Sequence, residues 1–390
     1  MSFEIHRFFL MTIDPVHVGT GGMLLGRVDN PIVREPGTRL PKIPGTALHG
    51  AIRQYAAARY GKISCAGQKG HCGRPTCPIC YTFGSIEGKS GSFSGVVSIS
   101  DARLLLFPVY SMVGPVWVTS PTALYDAEFG TYKVSSPRAK WAGKGSELPS
   151  DKPLNLGWLM VEREGELPDI SWPSQIPSQI RNRIVLVSDK LFSQIVNSNL
   201  EVRTSVSINP DTGAAEEGAL FTYEAIPRAT VLWMDVVVDD FRGEFPDKTK
   251  LENWEATLSG KDEKKQKNLL KRWRLWNEKD GEDKKDDKFE KVLNTAKLWV
   301  KEEKFSENDN KKWRWDKESI KEVPQTSSGI VQAGLEWAEH LGIGGMGTRG
   351  FGRIKTLCCW NLNKNENPVE EYTQPKKTSS ETKEGSGGKS

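Results

Sequence analysis

The 390-residue chain carries 54 lysines and arginines against 50 acidic residues, a net charge of +4, and it is 37% hydrophobic. That length can bury a substantial core, and the charge balance excludes a globally basic nucleic-acid coat, so any such surface must be a local patch. No stretch approaches the roughly 18 apolar residues of a membrane span, and Met1 to Thr12 is too short an apolar run for a secretory signal, so a cytoplasmic protein with no membrane partner is expected.

Phe8 to Ile13 reads as a strand. A glycine-rich loop follows, His17-Val-Gly-Thr-Gly-Gly-Met-Leu-Leu-Gly-Arg-Val-Asp29, which no regular element explains. Pro44-Gly45-Thr46 starts a helix in which Ala47, Leu48, Ala51, Ile52, Tyr55 and Ala56 recur at helical spacing up to Arg59. His49 and Arg53, four residues apart, share one face of it. A strand at Gly95 to Leu106 leads to a turn at Phe107-Pro108 and an apolar stretch through Trp117. Residues 126 to 180 are rich in Gly, Pro, Ser and charge and read as long loops. Ile184 to Val187 is a predicted strand and Leu191 to Val196 a short helix. Residues 200 to 224 alternate as a hairpin with Asn209-Pro-Asp-Thr-Gly213 at its tip, and Ala229 to Val238 is a core strand.

Composition shifts near residue 245. Between Lys261 and Ile320 lie 19 lysines and arginines and 15 acidic residues, and six of the thirteen tryptophans fall between 254 and 315. Charge this dense would by itself give disorder, but Leu269, Leu270, Trp273, Trp276, Leu293, Leu298 and Trp299 supply apolar faces at helical spacing, which predicts an inserted helical subdomain. Its carboxylates would repel an anion, so it is expected to dock another protein surface. A helix near Ile330 to Leu341 and a strand at Ile354 to Trp360 follow, and a tail rich in Ser, Thr, Lys and Gly is expected to be disordered. The predicted parts are 1–244, the insertion 245–327, a return at 328–365 and the tail 366–390.

Two constellations carry chemistry. Four of the six cysteines are spaced Cys65-x6-Cys72-x4-Cys77-x2-Cys80. A terminal Cys-x-x-Cys lets two thiolates face one tetrahedral zinc ion, and clusters of this kind are rare among cysteines that are merely buried. The fourth ligand is Cys65 or His71. Cys358 and Cys359 sit in an apolar stretch and read as core. The second constellation is Gly342-Ile-Gly-Gly-Met-Gly-Thr-Arg-Gly-Phe-Gly-Arg353, behind a helix. Glycines let the backbone approach a phosphate chain, and Arg349 and Arg353 add charge. The loop lacks the Gly-Lys-Ser/Thr ending of a Walker loop, and no helix follows it as in a dinucleotide fingerprint. Its bland alternative is a turn shaped by packing.

These constellations, with His17-Val-Gly-Thr-Gly, Val28-Asp29-Asn-Pro-Ile-Val-Arg-Glu35, Leu40-Pro-Lys-Ile-Pro-Gly-Thr-Ala-Leu-His-Gly-Ala-Ile-Arg53, Cys77-Pro-Ile-Cys-Tyr-Thr-Phe-Gly84 and Ser100-Asp-Ala-Arg103, resemble the RAMP superfamily, and within it the backbone subunits of type III CRISPR effector complexes. The resemblance covers roughly residues 1 to 125, 184 to 238 and 328 to 360. It implies an α+β fold with an RRM-like, ferredoxin-like palm, a thumb hairpin at about 200–224, a zinc-binding loop at 65–80 and the inserted helical subdomain. The implied partners are guide (CRISPR) RNA, complementary target RNA, other backbone subunits and a large subunit. Guide contacts would fall on Arg27, Lys42, His49, Arg53, Gly344, Gly345, Thr348, Arg349 and Gly350, and structural zinc on Cys65, Cys72, Cys77 and Cys80. Asp29 would be the cleavage residue, positioning or deprotonating a ribose 2′-OH or holding Mg2+ or another divalent ion. Its ordinary role would be to cap a turn before Asn30-Pro31. The 261–320 insertion has no counterpart in simpler members and looks like a type III-D variant. Two rivals stand beside the nuclease: a purely structural guide-binding subunit, and a guide-processing endoribonuclease relying on one of His6, His17, His49, His71 or His340.

Overall fold

Three adjacent apolar residues, Phe8, Phe9 and Leu10, project alternately from a strand, so the sheet that holds them must be covered on both faces. The computed structural model describes residues 3–21, 28–67, 70–86, 91–142, 147–150, 152–277, 285–303 and 326–363. Its strands are β1 (Glu4–Thr12), β2 (Val97–Ile99), β3 (Arg103–Val109), β4 (Val116–Thr119), β5 (Ala139–Trp141), β6 (Arg163–Gly165), β7 (Ile184–Val187), β8 (Glu201–Ile208), β9 (Ala215–Ala225), β10 (Val231–Val238) and β11 (Ile354–Asn361). Nine of them form one mixed sheet in the order β6-β5-β7-β4-β3-β10-β1-β11, with β2 also paired to β10, while β8 and β9 form a separate ribbon. The parallel pairs are β7 with β4 and β6 with β5.

The longer helices are α1 (Gly45–Arg59), α2 (Asp189–Ser198), α3 (Lys248–Ser259), α4 (Glu263–Arg272), α5 (Lys285–Glu303) and α6 (Ser327–Leu341). Along the chain, β1, α1, β2 with β3, β10, α6 and β11 make a β-α-β-β-α-β succession, and β11, β1, β10 and β2/β3 are consecutive neighbours in the sheet. Phe8, Leu10, Leu104, Leu232 and Met234 join Leu48, Ile52, Ile330 and Leu335 of α1 and α6 in one core. Phe9, Leu105, Val231 and Trp233 face a second layer containing Trp117, Leu124, Ile176 and Ile184. Each fully buried side chain of this size contributes about 1.5–3 kcal/mol.

Two close approaches fix α1. The helix has no side-chain cap from Pro44 and no acid in its first turn. Asp101, in the break between β2 and β3, supplies the cap instead: it accepts the Gly45 N–H at 2.7 Å and the Lys42 ammonium at 2.6 Å. At its other face α1 crosses α6 at Gly334, where an added Cβ would lie 2.4 Å from the Ile52 carbonyl oxygen.

The expected turn at Phe107-Pro108 is strand. Trp117, opposite Pro108, donates its N–H away from β3 to the Arg183 carbonyl at 2.9 Å. The two therefore form a non-hydrogen-bonded pair, and the N–H that proline lacks is not needed between β3 and β4. Residues 126 to 180, expected as loops, include β5, β6 and a ladder of Leu154–Leu156 with Leu159–Val161. They bury Trp141 completely, its Nε1 donating to the Pro149 carbonyl at 2.7 Å.

The described residues of the insertion form the helices α3, α4 and α5. Leu251, Trp254, Leu258, Leu269, Leu270, Trp273, Leu293 and Val300 make a core of their own. Leu298, expected on the apolar face, is 52% exposed, while Trp299 is buried beneath the Arg74 guanidinium, 5.4 Å from the ring centre. Glu302 and Glu303 pair with Arg74 and Lys62, so the end of α5 is clasped to the cysteine segment. Residues 304–325, with Trp313 and Trp315, and the tail from 364 lie outside the described residues.

Gly334→Ala should lower the unfolding free energy by about 1–3 kcal/mol through overpacking, overriding the roughly 1 kcal/mol that alanine gains in a helix. The measurement is a shift of the denaturant midpoint at constant slope.

Candidate nucleic-acid interface and metal centre

The short helix Pro78–Phe83 begins behind Cys77, and a 3-10 turn at Ile63–Cys65 brings Cys65 towards it. The sulfurs of Cys65, Cys72, Cys77 and Cys80 all lie within 4.8 Å of one another. Cys65 and Cys77 are 3.9 Å apart and Cys72 and Cys80 3.7 Å. A tetrahedron of thiolates about 2.3 Å from a central ion has edges of about 3.8 Å, so donor type and spacing both fit a tetrahedral metal. His71 is engaged elsewhere: its Nε2 meets the Gly67 carbonyl and its Nδ1 accepts the Ile86 N–H at 3.3 Å. Burial pushes the Cys358 and Cys359 thiols up to about 12, as befits inert core residues.

The shared face of His49 and Arg53 points at this segment. Arg53 is 7% exposed, and it donates from Nε to the Cys65 carbonyl at 2.8 Å and from Nη1 to the Phe83 carbonyl at 3.3 Å. The His49 ring meets Phe83 edge to face at 5.2 Å, and burial, helped by the Arg53 charge, lowers its pKa so that it is neutral at pH 7. Lys42 sits between Asp101 at 2.6 Å and Glu35 at 3.1 Å. These three residues, expected along the guide backbone, thus have intramolecular partners that also brace α1 and the cysteine segment.

The remaining expected residues gather at the base of the β8–β9 ribbon. Asp29 Oδ2 accepts both the N–H and the hydroxyl of Thr222 in β9, each at 2.8 Å, and the Thr222 hydroxyl accepts the Asp29 N–H at 2.9 Å. Asn30 then runs parallel to Tyr223, donating to the Thr222 carbonyl at 3.0 Å and accepting from Glu224 at 3.1 Å. Glu224 in turn accepts the Ile32 N–H at 3.2 Å and pairs with Arg34 at 2.6 Å. Arg27 lies outside the described residues.

His17 connects this base to the glycine loop. Its Nδ1 meets the Glu224 carbonyl at 2.7 Å, and its own carbonyl accepts the Gly345 N–H at 2.9 Å. Gly344 has φ +89°, and a Cβ there would lie 2.3 Å from that same carbonyl, so glycine is required twice over. Thr348, Arg349 and Gly350 are exposed, and Arg349 Nη1 donates to Ser205 Oγ in β8 at 3.0 Å.

Thr204 is opposite Thr222, and Ser205 is opposite Phe221. Successive strand residues project to opposite faces. Asp29 and Arg349 therefore grip the two faces of the ribbon at the same level. The Arg349 face also carries Arg203 over the Phe351 ring at 4.8 Å and Tyr223 against His17 at 5.6 Å. The Asp29 face presents Val202, Val206 and Leu220, 43%, 44% and 63% exposed, an apolar strip leading out from the carboxylate. Alternation made the ribbon legible, but nothing in the sequence singled out Thr222, Ser205 or Glu224 as its fastenings.

The Thr222 amide, and then its hydroxyl, hold Asp29 below the usual carboxylate range, so the group is an ionised acceptor at neutral pH. Among the described residues the four cysteines are the one set of three or more metal-ligating side chains. Thr222→Val should raise the Asp29 pKa towards its ordinary value, which a carboxyl-carbon NMR titration would read. Because the folded-state pKa is depressed, the Thr222 contacts stabilise the chain above the ordinary carboxylate range. That stability is lost as pH falls through the folded-state value, and the loss should be smaller in Thr222→Val.

Comparison with known proteins gives a family and several relatives. The profile of the RAMP superfamily matches residues 9–355. The CRISPR system Cmr endoribonuclease Cmr4 of Pyrococcus furiosus is 28% identical over 248 residues, 59% of this chain and 80% of that protein. The CRISPR system Cms endoribonuclease Csm3 of Enterococcus italicus is 39% identical over 89 residues, 22% of this chain and 40% of its own length. Among solved structures, a chain of the type III-B Cmr-beta complex bound to cognate target RNA matches with a TM-score of 0.48 and 18% identity, over 60% of this chain and 84% of that one.

Proposed function

The chain belongs to the RAMP superfamily, and from that membership we propose that it is a guide-RNA-binding backbone subunit of a type III CRISPR effector complex that cleaves complementary target RNA through Asp29. The observation that carries this reading is the arrangement at the ribbon base: an ionised carboxylate fastened to one face, and the glycine loop with Arg349 fastened to the other. The strand order supports reading the sheet around β1 and β10 as an RRM-like palm and the β8–β9 ribbon as its thumb.

On this reading the guide backbone runs over the glycine loop, with Gly344, Gly345, Thr348, Arg349 and Gly350 contacting phosphates without reading sequence, which is left to base pairing. Lys42, His49 and Arg53 contribute by holding α1 and the cysteine segment in shape. The target strand passes the Asp29 face, where Val202, Val206 and Leu220 can wedge beside an unstacked base. The ribose 2′-oxygen attacks the adjacent phosphorus, the bond to the 5′-oxygen breaks, and the products are a 2′,3′-cyclic phosphate and a 5′-hydroxyl. A carboxylate of depressed pKa is a weak base, so Asp29 acts chiefly by accepting the 2′-OH hydrogen bond and holding that hydroxyl in line. Asp29 belongs to no cluster of three or more metal-ligating side chains among the described residues.

A structural subunit without cleavage is the second reading, favoured by the fact that Thr222 already engages the Asp29 carboxylate twice. Asp29→Asn separates the two. In the reconstituted complex it should lower the rate of cutting at the sites this subunit faces by about a hundredfold, the scale of a lost positioning and acid–base contact, with target binding unchanged. Undiminished cutting by Asp29→Asn, measured on single-turnover gels, would leave the structural reading in place.

The four cysteines are proposed to hold one structural zinc ion, since thiolates at tetrahedral spacing suit that metal. Elemental analysis should find one zinc per purified chain, and Cys77→Ser should lose it and melt earlier. A metal-free protein whose four thiols react freely in the native state would rule the ion out.

A further inference from the structure

Where the insertion meets the rest of the chain lies a cavity of about 120 Å3 lined by Pro75, Tyr81, Phe93, Trp254 and Trp273, with Arg242, Arg272, Arg274 and Glu244. We propose that it binds a phosphate monoester, the phosphorylated end of an RNA strand or a free nucleotide.

The charges converge. Arg272 pairs with Glu244. Arg242 stacks over Tyr81 at 4.4 Å and Phe93 at 5.6 Å, and its Nη2 donates to the carbonyls of Tyr81 and Ser94. Arg274 donates to the Ser92 carbonyl at 3.1 Å. Neutral carbonyls hold the last two guanidiniums without cancelling their charge. Three guanidiniums against one carboxylate leave the lining two positive charges in excess. A phosphate monoester, with a charge of about −1.5 to −2 at pH 7, matches the excess.

Size narrows the guest further. At about 30 Å3 per water the cavity holds the equivalent of about four waters, enough for a phosphate group and its hydration, with the rest of the ligand outside. Arg274, at φ +57°, is the left-handed residue that ends α4, with the Leu275 N–H bonded to the Leu270 carbonyl at 2.9 Å, and it lines the cavity wall. At the cysteine segment the insertion presents Glu302 and Glu303, whereas at this cavity it presents Arg272 and Arg274. Choosing an RNA end over a phosphorylated protein rests on the RNA-binding reading above.

The test titrates the full chain with one short single-stranded RNA prepared with a 5′-phosphate, with a 3′-phosphate and with hydroxyl ends, and separately with adenosine monophosphate and a phosphoserine peptide. One phosphorylated form should bind about tenfold more tightly than the hydroxyl-ended strand, the scale of one charge-assisted contact. Arg274→Gly removes the cation and suits the left-handed backbone, so it should fold normally and lose the preference while keeping its affinity for the hydroxyl-ended strand. Arg272→Gln should weaken the preference. Equal binding of all strands, a preference that survives Arg274→Gly, or a phosphoserine peptide that binds as tightly as the RNA end would overturn the proposal. If hydroxyl-ended RNA fails to bind while adenosine monophosphate binds in an Arg274-dependent way, the pocket stands and the guide-binding reading falls.

Discussion

The carbonyl and imidazole of His17 hold together three segments that are far apart in the chain. One contact runs to Gly345, another to Glu224, and the neighbouring Val16 bridges to Ile226. Each hydrogen bond is worth only about 1 kcal/mol, but their geometry decides where the ribbon leaves the sheet and how the glycine loop meets it. Asp29 and Arg349 owe their opposed positions to this joint, because both are fastened to strands whose roots it fixes. The glycine at 344 is part of the same constraint, since no side chain fits against that carbonyl.

Cations that looked available in sequence divide sharply by their partners in space. Arg53 and Lys42 stabilise the joints of α1, one through carbonyls of the cysteine segment and the other through Asp101. Arg349 remains at the surface with a neutral serine, and Arg242 and Arg274 rest on neutral carbonyls. A guanidinium whose partners are uncharged keeps its attraction for an anion, whereas one held by a carboxylate has largely lost it.

Much of the fold was legible because its signals were local. Pro44-Gly45 did begin a helix, Asn209 to Gly213 did turn a hairpin, and the apolar faces in the insertion did pack together. The short strands at 139–165 escaped notice because three residues are too few to show a period, and Pro108 was read as a turn because its pairing depends on which way Trp117 points. The site was legible in its residue types and illegible in its contacts. Asp101 is 56 residues from the helix it caps, and Thr222 is 193 residues from the carboxylate it grips. Such pairings are set by the sheet, and no spacing in the sequence announces them.

Beyond its root, where Asn30 bridges to Tyr223, the β8–β9 ribbon has two strands and no third neighbour among the described residues, and most residues of β8 face water. A two-stranded hairpin of this kind is at best marginally stable by itself. Among the described residues its fastenings lie near the root, at Arg203, Ser205, Thr222, Tyr223 and Glu224, while the tip around Asn209 to Gly213 has its own turn bonds. Protection from amide exchange should therefore fall steadily along the ribbon, giving a lever that is stiff at its pivot and compliant at its end. Such a lever can adapt to a partner over its outer half while the carboxylate at the pivot keeps its place.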